Sequence, residues 1–151
     1  MPTTKLKEYL NARGVAHAII PHPLAFTATS VAGAAHIPGR EMAKTVLVNM
    51  DGTLAMAVVP ATRKVDLERL RQATGAGTVA LAHEGEFIAD FPECEPGAMP
   101  PFGNLYGMAV YVEPHLAEDD HIAFNAGSHT ELISMAYKDF ERLVHPKLVD
   151  M

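Results

Sequence analysis

Three groups of residues in this chain have types and spacing that could do chemistry. Lys44 stands at the mouth of a predicted hairpin, just ahead of the apolar run Val46-Leu47-Val48. A cation fixed beside a pocket can hold a phosphate or a developing negative charge. Read alone, the same residue is a strand-end lysine whose stem covers apolar surface while its head reaches water. The segment Gly97-Ala98-Met99-Pro100-Pro101-Phe102-Gly103 is the second group. Gly97 lets bare backbone approach a ligand, Pro100 and Pro101 stiffen the bend, and Phe102 is placed to anchor it in a core. A rigid bend with free N–H groups can bind a carbonyl or an oxyanion; an ordinary Pro/Gly-rich connection has the same composition. The third group is Asn125-Ala126-Gly127-Ser128-His129. Ser128 and His129 are adjacent, but neighbouring side chains on a strand point apart, so adjacency makes no catalytic dyad.

Other chemistries find little support. Cys94 lies in Pro92-Glu93-Cys94-Glu95-Pro96, and the flanking carboxylates disfavour a thiolate nucleophile. No Gly-x-Ser-x-Gly elbow and no glycine-rich phosphate loop occurs. The chain has eight histidines, yet none forms a HExxH pair and no second cysteine offers a zinc site. His115, Asp119, Asp120 and His121 cluster in what reads as a solvated acidic turn, so neither a metal nor a cofactor is expected.

The elements that must position these groups follow from periodicity. Leu6, Tyr9 and Leu10 share a helical stripe over Thr4–Arg13, ended by Gly14. Val15–Ile20 reads as a strand and Thr27–Ala35 as a helix. Lys44–Met50 and Thr53–Val59 flank Asp51-Gly52, a turn pair that tolerates positive φ and marks a hairpin. Both strands are apolar without alternation, which predicts cover on both faces and a central position. Asp66 caps a helix running to Thr74, Thr78–Leu81 is a short strand, and Glu84–Asp90 a short helix. Phe91–Tyr106 holds four prolines and two glycines, and long loops of this kind tend to carry function. Met108–Val112, His121–Asn125 and Glu131–Met135 complete about seven strands, and Tyr137–Val144 closes the chain as a helix. The pattern predicts one compact domain over residues 1–151, of mixed α/β class with α+β character.

Composition bounds the function. With 48% apolar and 20% charged residues over 151 positions, the chain can bury a core without a disulfide, which excludes a disordered tail. No apolar run approaches a membrane span, and the polar start Met1-Pro2-Thr3-Thr4-Lys5 reads as no signal peptide. With a lone cysteine, this predicts a cytoplasmic protein with no membrane partner. The net charge of −6 argues against indiscriminate nucleic-acid binding. It hides an asymmetry: residues 1–75 carry nine Lys/Arg against five Asp/Glu, and residues 76–151 three against thirteen. Lys5, Lys7, Arg13, Arg40, Arg63, Lys64, Arg69 and Arg71 could form a modest cationic face; uneven charge along a chain is equally a solvated surface.

Taken together, Ala43-Lys44-Thr45-Val46-Leu47-Val48 with Asp51-Gly52, Pro60 with Val65-Asp66-Leu67 and Gly75, the Gly97–Gly103 segment, and Asn125–His129 resemble the YbaK/EbsC family. These are free-standing relatives of the editing domain inserted in bacterial prolyl-tRNA synthetases. The resemblance covers nearly the whole chain, and the joint order of the motifs is its specific feature. It implies a mixed, partly barrelled sheet flanked by helices, and hydrolysis of the ester joining a wrong amino acid to the 3′ end of a tRNA. It implies that Lys44 and Gly97 serve catalysis, and that Ala98, Met99, Pro100 and Pro101 of the G-x-x-x-P loop hold the aminoacyl end. Gly127, Ser128 and His129 are implied to line the amino-acid pocket, with Phe26, Thr27, Thr29 and Met42 as further wall candidates. The implied partners are the acceptor end of aminoacyl-tRNA and an aminoacyl-tRNA synthetase, the chain being a monomer or weak homodimer. The alternatives are a non-catalytic module that binds an aminoacyl end, a nucleotide or a partner protein, and a hydrolase of small esters or amides.

Overall fold

The structure, a computed structural model, describes residues 4–151. Met1, Pro2 and Thr3, which open the polar N-terminal stretch, lie outside the described residues. Helix α1 (Thr4–Ala12) buries Leu6 and Leu10, one turn apart on one face. Val15 lies past the end of α1 but is tied back to it, its N–H donating to Leu10 O, so strand β1 starts later than expected and spans His17–Pro21. Helix α2 (Ala28–Ala34) is capped by Thr27, whose hydroxyl accepts from Ser30 N–H.

Strands β2 (Met42–Met50) and β3 (Thr53–Pro60) form the predicted hairpin in two-residue register, with Met50 opposite Thr53. Asp51 and Gly52 both take positive φ, 52° and 85°, the pairing that matches strand twist. Helix α3 (Leu67–Thr74) is capped by Asp66. Strand β4 (Val79–Leu81) follows, then helix α4 (Glu84–Phe87) with a 3₁₀ turn at Ile88–Asp90. After the long loop come β5 (Ala109–Val112), β6 (His121–Asn125), β7 (Glu131–Ala136), helix α5 (Tyr137–Val144) and a two-residue strand β8 (Lys147–Leu148) that the sequence pattern did not reveal.

The eight strands form one mixed sheet in the order β1-β7-β6-β2-β3-β5-β8, with β4 paired to β2. The hairpin is central, as its unbroken apolar runs predict. Alternate residues feed opposite faces. Leu47, Met56 and Val58 join a core with Phe102, Phe124 and Phe140 beneath α1 and α5. Val48, Ala55, Ala57 and Val59 pack with Leu70 of α3 on the other face, and Met42 packs with Val31 of α2. The sheet does not close into a full barrel: β1 and the very short β8 stand at opposite ends with no ladder between them.

The Asp51 carboxylate accepts from Gly77 N–H (3.0 Å) and Thr78 N–H (2.8 Å), which pins the start of β4 to the hairpin turn. These donors hold its pKa below the ordinary 3.8. A depressed folded-state pKa contributes stability above the unfolded value, lost as pH falls through the folded one. Asp51→Asn keeps the αL-tolerant turn but removes this titration. Thermal unfolding midpoints measured below pH 3.8 will therefore fall less steeply in Asp51→Asn than in wild type.

Candidate functional site

A gap in strand pairing creates the site. On the edge of β2 away from β3, β6 pairs only with Met42 and Ala43, while β4 pairs only from Val48 onward. Leu47 O accepts from Ala82 N–H (3.0 Å), so the Leu47 peptide points to this edge. By the two-residue repeat of a strand, the Thr45 N–H and C=O point there too, into the interval that neither β6 nor β4 fills. An open cleft of about 450 Å³ occupies that interval. Lys44, Thr45 and Val46 line it, with Gly97, Met99 and Asn125 of the loop and β6 side, Phe26 to Thr29, and Leu81 and Phe87 beyond.

Lys44 shares the sheet face of Met42 and Val46, whereas Met99 belongs to the core on the opposite face, so the cleft receives the lysine and the bend from the two sides of β2. Lys44 Nζ donates to Arg63 O at 2.7 Å. Partial burial, and secondarily the positive charge of Lys64, pull its pKa below the ordinary 10.5. Arg63 is itself held: its guanidinium lies 3.7 Å from Oε1 of Glu113, a carboxylate only 1% exposed. Glu113 also accepts from the His115 ring at 2.5 Å and raises the His115 pKa, chiefly through that hydrogen bond.

Gly97 takes φ +84°, a left-handed conformation that L side chains rarely adopt. Two backbone hydrogen bonds of 2.8 Å, Glu95 N–H to Gly127 O and Gly127 N–H to Ala98 O, lock this bend to the turn after β6. His129 completes the lock. Its N–H donates to the Glu95 carboxylate (2.8 Å), and its Nε2, facing the acceptor Pro96 O at 2.8 Å, carries the donated proton. The ring packs behind Gly97, and its buried Nδ1 has no hydrogen-bond partner. Among the described residues, the Gly97 and Met99 N–H groups donate to no protein acceptor. Phe102, fully buried between Phe124 and Phe140, anchors the loop as its position predicts.

The structure thus brings Lys44, Gly97 and Met99 to one cleft. Ala98, Pro100 and Pro101 are buried behind it. Gly127, Ser128 and His129 buttress the bend and are not among the lining residues. Ser128 Oγ accepts weakly from Thr130 N–H, within its own turn. Phe26, Thr27 and Thr29 line the cleft, but Met42 is fully buried in the α2 core. Sequence reasoning missed Leu81, Ala82 and Phe87, which reach the cleft only through the pairing of β4. Thr45 and Asn125 also line the cleft; the sequence motifs contained both but gave neither a role of its own, and the Asn125 Oδ1 is buried without a partner. The Cys94 thiol is pushed up to about 11, first by burial and only then by Glu93, against a hydrogen bond from Tyr106. Burial, more than the flanking charges, disarms it. Among the described residues no three His, Cys, Asp or Glu side chains are grouped to hold a metal. No helix among them is long and apolar enough to cross a membrane.

The mixed α/β sheet is thus split where a lysine and a glycine-led bend meet in one cleft. The chain belongs to the aminoacyl-tRNA editing domain family, whose model matches residues 22–143. It is 31% identical over 96 residues to the "Multifunctional Ser/Thr-tRNA deacylase ProXp-y" of Escherichia coli K12, a match covering 63% of this chain and 57% of that protein. The match therefore spans little more than half of the curated relative's length. Solved structures share the fold, two of them at low sequence identity. One is the hypothetical protein APE2540, with a TM-score of 0.85 at 18% identity over 97% of both chains. The other is described as a candidate trans-editing enzyme for prolyl tRNA synthetase, with a TM-score of 0.82 at 17% identity, covering 97% of this chain and 93% of that one.

The added Cβ of Gly97→Ala would meet only the His129 ring, at an ordinary 3.6 Å, so its penalty is conformational. The left-handed backbone makes the variant less stable by about 1–2 kcal/mol, readable as a lowered denaturant midpoint at unchanged slope.

Proposed function

We propose that this chain is a trans-editing hydrolase that deacylates mischarged aminoacyl-tRNA. The observation that carries the reading is the shared cleft: Lys44, and Gly97 and Met99, whose N–H groups donate to no protein acceptor among the described residues, line one open space in a member of the editing family. The aminoacyl ester is already activated, so a positioned water suffices as nucleophile and neither a triad nor a metal is required.

In this mechanism the acyl carbonyl oxygen accepts from the Gly97 and Met99 N–H groups. Water adds to the carbonyl carbon, and the same donors stabilise the tetrahedral oxyanion. Donors fixed before the reaction spare the reorganisation that water would require. The carbon–oxygen ester bond then breaks; one proton of the water goes to the departing ribose hydroxyl, the other to solvent, and the free amino acid departs as its carboxylate. Lys44 holds the ribose–phosphate end, its direction set by the Arg63 carbonyl. The E. coli relative's name makes serine and threonine the first acyl groups to examine.

The acidic chain binds tRNA weakly in this account. Arg40, Arg63, Arg69 and Arg71 each lie beside a carboxylate, which reduces the cationic face the sequence offered. Weak binding suits an editor that acts after a synthetase releases its product.

Deacylation of a panel of mischarged tRNAs, beginning with seryl- and threonyl-tRNA, tests the reading. Lys44→Ala lowers kcat/KM by roughly 10²–10³, the usual effect of removing one charge-stabilising group; a rate equal to wild type removes Lys44 from the mechanism. The pH profile gives a second check. Lys44 acts as a cation, so enzyme-dependent activity falls as pH rises through its lowered pKa. Lys64→Ala removes one cause of that lowering and moves the fall to higher pH.

A further inference from the structure

Phe26 is a large apolar side chain at the rim of the cleft, and it is 66% exposed. Scattered exposed apolar residues need no explanation, but this one is both fixed and placed. Ala25 N–H donates to His129 O (3.3 Å) on one side of it, and Thr27 caps α2 on the other. Its ring packs on the His129 imidazole with centroids 4.9 Å apart. That imidazole is only 7% exposed, is tied to Pro96 O, and rests against Gly97. Phe26 is therefore mechanically one unit with the bend that offers N–H groups to the acyl carbonyl. Across the cleft, Leu81 is also lining and 57% exposed.

We infer that Phe26, backed by His129, is the stacking platform for the 3′-terminal adenine base of the substrate. The inference rests on the deacylase reading and names a subsite within it. The ester to be cleaved hangs on the ribose of a terminal, single-stranded nucleoside, whose base is free to stack. At about 450 Å³ the cleft falls in the range that holds a drug-sized ligand, roughly 300–1,000 Å³, more than a small aminoacyl group needs. An exposed aromatic face in a cleft that a lysine also lines is the kind of arrangement by which proteins hold single-stranded ends without reading their sequence. Because the ring is already ordered, stacking requires little loss of side-chain freedom. Binding the base on Phe26 holds the nucleoside at the cleft, while the Gly97 bend itself places the ester carbonyl.

Two measurements test this. In the first, a short CCA oligonucleotide carrying 2-aminopurine in place of the terminal adenine is titrated with protein. Wild type and Phe26→Tyr quench its fluorescence on binding, and Phe26→Ala does not. In the second, steady-state deacylation of seryl- and threonyl-tRNA is compared. Phe26→Ala raises KM roughly 5- to 150-fold, the range that base–aromatic stacking covers, with kcat close to wild type. Phe26→Tyr restores KM. The side chain is solvent-exposed, so truncation leaves the fold intact. Equal quenching by Phe26→Ala and wild type overturns the platform, as does an unchanged KM. A change confined to serine-against-threonine preference also overturns it, because it makes Phe26 an amino-acid wall. If wild type hydrolyses no ester of the mischarged panel, the deacylase reading fails separately, and Phe26-dependent quenching alone decides the platform.

Discussion

The interruption in pairing along β2 between Ala43 and Val48 is the constraint on which the rest of the molecule depends. A central strand normally satisfies both edges, and a buried, unpaired peptide group is costly. Here the cost is avoided by leaving the interval open to solvent and to ligand. The same interruption lets one strand present Lys44 toward one face while the loop after Phe91 approaches from the other. Ligand sites in α/β sheets commonly arise where neighbouring strands diverge, because backbone groups are then free without any element being broken.

Around this opening the chain invests in rigidity. Paired 2.8 Å backbone hydrogen bonds join the Gly97 bend to Gly127, His129 fills the space behind it, and Phe102 fixes its far end in the core. On the lysine side, a buried carboxylate at Glu113 orients Arg63, whose carbonyl orients Lys44. Neither device supplies a nucleophile. Both hold donors in place before a ligand arrives, which is where electrostatic catalysis gains most over water. Burial keeps Cys94 protonated, so it supplies no nucleophile either.

Much of this was legible in the sequence because it is local. The Asp51-Gly52 turn, the Asp66 cap and the spacing of Phe140 and Val144 each follow from short-range rules, and the hairpin's unbroken apolar runs revealed its central place. Lys44 and Gly97 stood out as a cation before an apolar run and a glycine ahead of paired prolines. What stayed hidden depends on pairing between distant segments. The two-residue β8, the openness of the sheet, and the cleft wall of Leu81 and Phe87 are set by which strand meets which. His129 shows the limit within one motif: the segment was visible, but its role as a support behind Gly97 follows from hydrogen bonds to Glu95 and Pro96 across the loop.

The account's central claim is that an aminoacyl ester sits in the β2 opening with its carbonyl on the Gly97–Met99 backbone. A crystal structure of the chain with a stable 3′-amide analogue of seryl-adenosine tests it most directly. The account predicts the acyl oxygen within about 3 Å of the Gly97 or Met99 N–H, with the ribose beside Lys44. An analogue bound outside that opening, or with its carbonyl turned from the bend, contradicts it.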